Sequence, residues 1–147
     1  MRVVFDTNIY ISAFVIPGGN AEKAYLGAIN GDFELCTSVA ILTELARKLE
    51  DKFGWEKPRI VQLIRSISDV AAVLKTTPCL KVLLDEPDNR ILECASKAEA
   101  ELLVTGDNHL LELEQYGDCK IVKLSAFLTM LQQTPTGPEF SCSKPEK

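Results

Sequence analysis

Residues 2–13 read RVVFDTNIYISA. Val3, Val4 and Phe5 make a short apolar run that reads as a buried strand. Asp6 follows at once, backed by Thr7 and Asn8. A carboxylate at the tip of an apolar strand has two readings. One is a turn residue whose side chain caps a helix. The other is acid or metal chemistry, which requires further carboxylates to meet Asp6 in space. The choice between them turns on how the rest of the chain is organised.

Outward from this stretch, strands and helices alternate. The pattern predicts a helix over 20–30, with Asn20 as its N-cap and Gly31 as its stop. A second strand covers 33–37. Ser38 then caps a helix over 39–53, whose apolar positions Ile41, Leu42, Leu45 and Leu49 follow helical spacing. Pro58 opens a long helix expected over 58–76, and CLKVLL (79–84) reads as an ambiguous strand. DEPDNR (85–90) reads as a loop leading into a helix over 90–100. ELLVTGD (101–107) is a strand ending in Gly-Asp, followed by a short helix closed by Gly117. CKIVKL (119–124) is a last strand, and Ser125 caps a last helix to Gln133. Strands alternating with helices imply an α/β fold with a mostly parallel central sheet covered on both faces. One domain is expected over 1–133. The remainder, 134–147, is rich in Pro and Ser and is expected to be a disordered tail.

Composition narrows the chemistry. The chain has 147 residues with 46% apolar content, enough for one ordinary core. No apolar stretch approaches the ~20 residues that span a bilayer, and no secretory signal is apparent, so a cytoplasmic setting without membrane contact is expected. Five scattered cysteines form no C-x-x-C pair, and His109 is the single histidine. That argues against a disulfide framework and most zinc enzymes. Neither a G-x-S-x-G elbow nor a phosphate-binding G-x-x-x-x-G-K-[ST] loop is present. The net charge of −5 is not that of a plain nucleic-acid binder. Metal ions on a carboxylate cluster would still allow an acidic protein to engage phosphates.

Ligands of parallel sheets bind outside the carboxyl ends of the strands. Asp6 ends the first strand and Asp107 lies one residue past Gly106 at the end of another. Asp88 falls just before a helix. At about 100° per residue, Glu44 lies beside the Ile41/Leu45 stripe, facing a cleft. Four carboxylates from four segments then converge on one crevice. Taken singly, each has an ordinary explanation: Asp6 and Asp107 as turn residues, Asp88 as a helix N-cap, Glu44 as a solvated helix residue. Packed together, such groups must take up protons or bind cations. Oxygen ligands without a histidine or cysteine set suit Mg²⁺ or Mn²⁺. Two such ions about 3.5–4 Å apart can clamp a phosphodiester displacement.

The segments VFDTNIYISA, VAILTELARKLE, DEPDNRILECASKAEAELLVTGD and CKIVKLSAFL, in this order, resemble the PIN-domain ribonucleases, and within them the toxin group related to VapC-type toxins. The resemblance runs from about Met1 to Leu131, and its first and third segments are the specific ones. It implies a three-layer α/β/α fold and metal-dependent cleavage of RNA. Its motif carries the acids onto Asp6, Glu44, Asp88 and Asp107, as catalytic residues and as ligands of Mg²⁺ or Mn²⁺. Asn8 and Thr105 match supporting polar residues, with Thr7 and Asn89 beside the acids as further supports. Asp85 and Glu86 are near misses of the third acid; the D-N-R-I-L register favours Asp88. Many relatives read T-G-D-x-D at the fourth site, where this chain reads TGDNH. His109 is therefore read as a surface residue or as a contact near the scissile phosphate. Arg47 and Lys48, in a segment rich in bases, are candidate substrate contacts. The resemblance further implies an antitoxin partner and a homodimer.

Two rival readings remain at this stage. A haloacid-dehalogenase-like phosphatase also begins with a strand ending in Asp but wants D-x-D, and Asn8 stands at the second position. A catalytically silent PIN-like module that binds nucleic acid or protein is the other.

Overall fold

The computed structural model describes residues 1–133. Its first half runs β1 (Arg2–Phe5), α1 (Thr7–Val15), α2 (Asn20–Ile29), β2 (Glu34–Ser38), α3 (Val39–Phe53), α4 (Lys57–Val70) and β3 (Ala72–Leu74). The second half runs α5 (Glu86–Ala98), β4 (Leu102–Val104), α6 (Asn108–Leu113), β5 (Gln115–Tyr116), β6 (Cys119–Val122) and α7 (Leu124–Gln133). The strands form one sheet in the order β3-β2-β1-β4-β6-β5. All pairings are parallel except β5 with β6, which is antiparallel. Val3, Val4 and Phe5 point alternately to the two sides of the sheet, and none has solvent exposure. Both faces are therefore covered. Phe5 meets Tyr10, Phe33 and Phe127 at ring centroid distances of 5.7, 5.9 and 6.0 Å, joining α1 and α7 to one face.

This order places a topological switch beside β1. The chain passes from β1 to β2 and β3 on one side, then crosses to β4 and β6 on the other. Phe5 pairs with Val104 in register, so Asp6 and Thr105 leave the sheet side by side. The crevice outside the carboxyl ends of β1 and β4 is where a ligand is expected in a parallel sheet.

Local signals account for several boundaries. Ser38 Oγ accepts from the Ile41 backbone N–H at 3.2 Å, the cap expected of it. Gly54 ends α3 with φ of 67°, a left-handed conformation that suits glycine. Other expectations need correction. Residues 7–15 form a helix that the periodicity did not reveal. Gly19, not Asn20, holds the cap position of α2 and makes no side-chain cap bond. α4 stops at Val70, and 72–74 leave it to pair with β2 as the edge strand β3. No strand forms over 79–84. α5 starts at Glu86, so Asp88 lies inside its first turn and Asp85 takes the cap position. Ser125 lies within α7 rather than before it. The expected tail, 134–147, lies outside the described residues.

Candidate active site

Asp6 is built into the end of β1. Its backbone N–H donates to the Val104 carbonyl at 3.0 Å, and its Oδ1 accepts the Asn8 N–H at 3.3 Å, capping α1. The turn reading of D-T-N is thus correct, and it does not exhaust the residue. Oδ2 accepts a 2.6 Å hydrogen bond from the buried Thr105 hydroxyl. The same hydroxyl oxygen accepts the Asp107 N–H at 3.0 Å. Thr105, just beyond β4, therefore fixes Asp6 by its proton and the Asp107 backbone by its lone pair. Burial raises the Asp6 carboxyl above its ordinary range; the bonds from Thr105 and Asn8 and the charge of Lys48 oppose that rise.

Asp107 caps α6. Its Oδ1 accepts from the backbone N–H groups of His109 at 2.7 Å and Leu110 at 3.4 Å. Asp88 enters from α5, 5% exposed, and its Oδ2 is buried without a hydrogen-bond partner. Its carboxyl is pushed up to about 7, first by burial and then by the charges of Asp107, Asp85 and Asp6, with His109 acting the other way. A helix N-terminus favours a carboxylate, so burial and like charge outweigh that field here. Asp88, Asp107 and His109 each present one ligand atom, all within 4.8 Å of one another. A buried carboxyl group with one oxygen lacking a donor, grouped with a second carboxylate, fits a divalent cation held by oxygen ligands.

The other sequence-predicted residues sit around this core. Glu44, on α3, is not among the three converging ligand atoms. It pairs through Oε1 with Arg47 and through Oε2 with Lys48, the latter at 3.7 Å. Lys48 Nζ also donates to Asn8 Oδ1 at 3.4 Å, linking the Glu44 pair to the residues behind Asp6. Glu44 and buried Thr7 line a recess of about 160 Å³ that Glu86, Pro87 and Arg90 close from α5. Asn89 is buried and faces the preceding segment, where its amide accepts from the Leu83 N–H at 2.9 Å and donates to the Leu83 carbonyl at 2.8 Å. The His109 ring is 75% exposed, with Nδ1 3.7 Å from Asp107 Oδ1.

One organising residue escaped the sequence reading. Glu93 is buried, accepts the N–H groups of Cys79 and Leu80 at 2.7 and 2.8 Å, and pairs with Arg90 Nε at 2.9 Å. Together with Asn89 it pins 79–83 against α5 and so sets the approach to Asp88. The only sequence signal was the i,i+3 spacing of Arg90 and Glu93 on a helix.

The family model for the PIN domain matches residues 2–109. The chain belongs to the PIN-domain family. The matched span takes in Asp6, Glu44, Asp88 and Asp107, and it ends on His109. Among curated proteins, this PIN domain is similar to the uncharacterized protein MJ1680 of Methanocaldococcus jannaschii, with 30% identity over 145 residues, covering 95% of this chain and 89% of the relative. Among solved structures it is similar to a chain in the crystal structure of VapBC2 from Rickettsia felis bound to a DNA fragment from their promoter. That match has a TM-score of 0.58 at 15% identity and covers 84% of this PIN domain and 98% of the other chain. At such identity the likeness is one of fold. No helix among the described residues is long and apolar enough to cross a membrane.

Proposed function

We propose that this PIN domain is a divalent-metal-dependent endoribonuclease of the cytoplasm, the toxin of a toxin–antitoxin pair. One observation carries the reading: Asp88, which holds a buried, unpartnered oxygen, groups with Asp107, which Thr105 ties to Asp6 at the carboxyl edge of the sheet. Asp6, Glu44, Asp88 and Asp107 are the proposed catalytic acids and ligands of Mg²⁺ or Mn²⁺. A bound divalent ion supplies charge neutralisation and polarises the phosphodiester for attack by water. The protein's own part is positioning. Thr105 keeps its proton on Asp6 and so holds that carboxylate in one rotamer. Lys48 lowers the cost of charging Asp6.

Glu44 contributes as a ligand when it is released from Arg47 and Lys48. Those two cations are then available to the phosphates of an RNA strand lying over the crevice. The solved VapBC2 of Rickettsia felis is bound to a DNA fragment from their promoter. Carried over to this chain, it supports a DNA-binding antitoxin as partner. A homodimer is part of the same proposal.

The test is incubation of purified protein with a mixed RNA pool in Mn²⁺, in Mg²⁺ or in chelator, with Asp6→Asn as control. Cleavage is expected with metal and lost in chelator and in the variant. Undiminished cleavage in excess chelator overturns the mechanism. In a further arm, a small DNA-binding protein encoded beside this chain is expected to bind it and suppress the cleavage.

A further inference from the structure

His109 is drawn toward the acids by its own backbone. Its N–H donates to Asp107 Oδ1 at 2.7 Å in the first turn of α6, which leaves ring Nδ1 3.7 Å from the same oxygen. One ligand atom from each of His109, Asp88 and Asp107 falls within a 4.8 Å cluster. A second observation separates this trio from an ordinary patch of surface acids. Asp88 is 5% exposed, and its Oδ2 has neither donor nor solvent contact. Buried polar atoms in folded proteins have partners as a rule, and an exception calls for a missing one. The imidazole that completes the trio is 75% exposed.

We infer that His109 is a further ligand of the divalent centre, which adds one imidazole to the carboxylates of the site and favours Mn²⁺ over Mg²⁺. The inference rests on the proposed metal-dependent reading and adds the ligand and the class of ion. Mg²⁺ is a small hard ion that keeps oxygen ligands and gives up water reluctantly. Imidazole nitrogen suits first-row transition ions, and affinity for nitrogen donors rises along that row from Mn²⁺. Exchanging one carboxylate for a neutral ring therefore weakens Mg²⁺ more than Mn²⁺.

The full chain, stripped of metal, is titrated with Mn²⁺ and with Mg²⁺ by calorimetry. Mn²⁺ is also examined by electron spin-echo spectroscopy, which detects a coordinated imidazole nitrogen without any assay of activity. His109→Gln and His109→Asp are studied in parallel, since a ring this exposed is replaced without disturbing the fold. Loss of a group that only orients a metal ligand weakens metal sites by about 10–100-fold, so loss of a ligand is expected to weaken Mn²⁺ by at least ~10-fold in His109→Gln. The nitrogen coupling vanishes in that variant. His109→Asp is expected to retain Mn²⁺ and to narrow the preference over Mg²⁺. Mn²⁺ bound without imidazole coupling, or an unchanged affinity in His109→Gln, overturns the ligand role and leaves metal dependence standing. Failure of the wild type to bind either ion overturns both readings.

Discussion

Thr105 satisfies two partners with one hydroxyl, so its replacement distinguishes positioning from bulk. Thr105→Val keeps the shape, leaves the buried Asp6 Oδ2 without its donor and frees the Asp107 N–H. Nuclease activity should fall by at least ~10-fold with the fold retained, because an unsatisfied buried polar group costs about 1–3 kcal/mol. Thr105→Ser should restore most of it, and equal activity in both variants would remove the hydroxyl from the argument. Asp88 makes a prediction about pH. Its carboxyl stands at about 7 in the folded chain against 3.8 as reference. Between those values the folded state holds a proton that the unfolded state has released, so metal-free stability falls as pH rises through that window. Asp88→Asn removes the penalty. It should melt close to wild type near pH 4 and at least ~3 °C above it at pH 8, a shift that corresponds to roughly 1 kcal/mol for a chain of this size. The same variant should have no nuclease activity. A stability gain that is constant across pH would mean that Asp88 does not carry the shifted proton.

At the scale of elements, α5 does more than deliver Asp88. Glu93 and Asn89 on its buried face fasten residues 79–83, which have no ladder of their own. Glu93→Ala leaves Arg90 without its closest acid and two backbone N–H groups unbonded. Breaking a buried pair in this way costs about 3–5 kcal/mol. Thermal melts should record that loss, and limited proteolysis should show early cutting around 79–83; a variant as stable and as resistant as wild type would refute the clamp. The elements differed in how far they were legible, for physical reasons. α3 was readable because its cap and its apolar stripe are both local. α1 was not: Ile9, Tyr10, Ile11 and Ala13 are all buried, so the helix is apolar around most of its circumference and carries little period. β3 owes its existence to pairing with β2, a contact invisible in a three-residue segment. At the site, Asp6 and Asp107 could be located because strand ends are marked by the apolar runs before them. Convergence of His109 on Asp88 depends on the first turn of α6 and on the start of α5, and α5 starts four residues before the point that the sequence pattern marks.

At the scale of the molecule, the crevice depends on the whole sheet, because β1 and β4 are neighbours only through a crossover that spans most of the chain. The elements after the matched span complete this frame. β6 pairs with β4 in register, Val104 with Val122, and Thr105 N–H donates to the Val122 carbonyl at 3.0 Å. α7 then seats Phe127, fully buried, edge-on against Phe5 and Phe33. Fold and site therefore need the chain as far as α7, and a boundary at Gln133 can be tested against a substitution just inside it. Phe127→Ala empties the centre of the aromatic cluster at a cost of about 3–5 kcal/mol. Its melting temperature should drop by roughly 10–20 °C. A chain ending at Gln133 keeps Phe127 and every strand pairing named above. What it removes, 134–147, is rich in Pro and Ser with little apolar content to bury. The shortened chain should melt within ~2 °C of the full one and cleave RNA at the same rate. A drop comparable to that of Phe127→Ala would show that the C-terminal residues contribute to the core, and would move the domain boundary beyond Gln133.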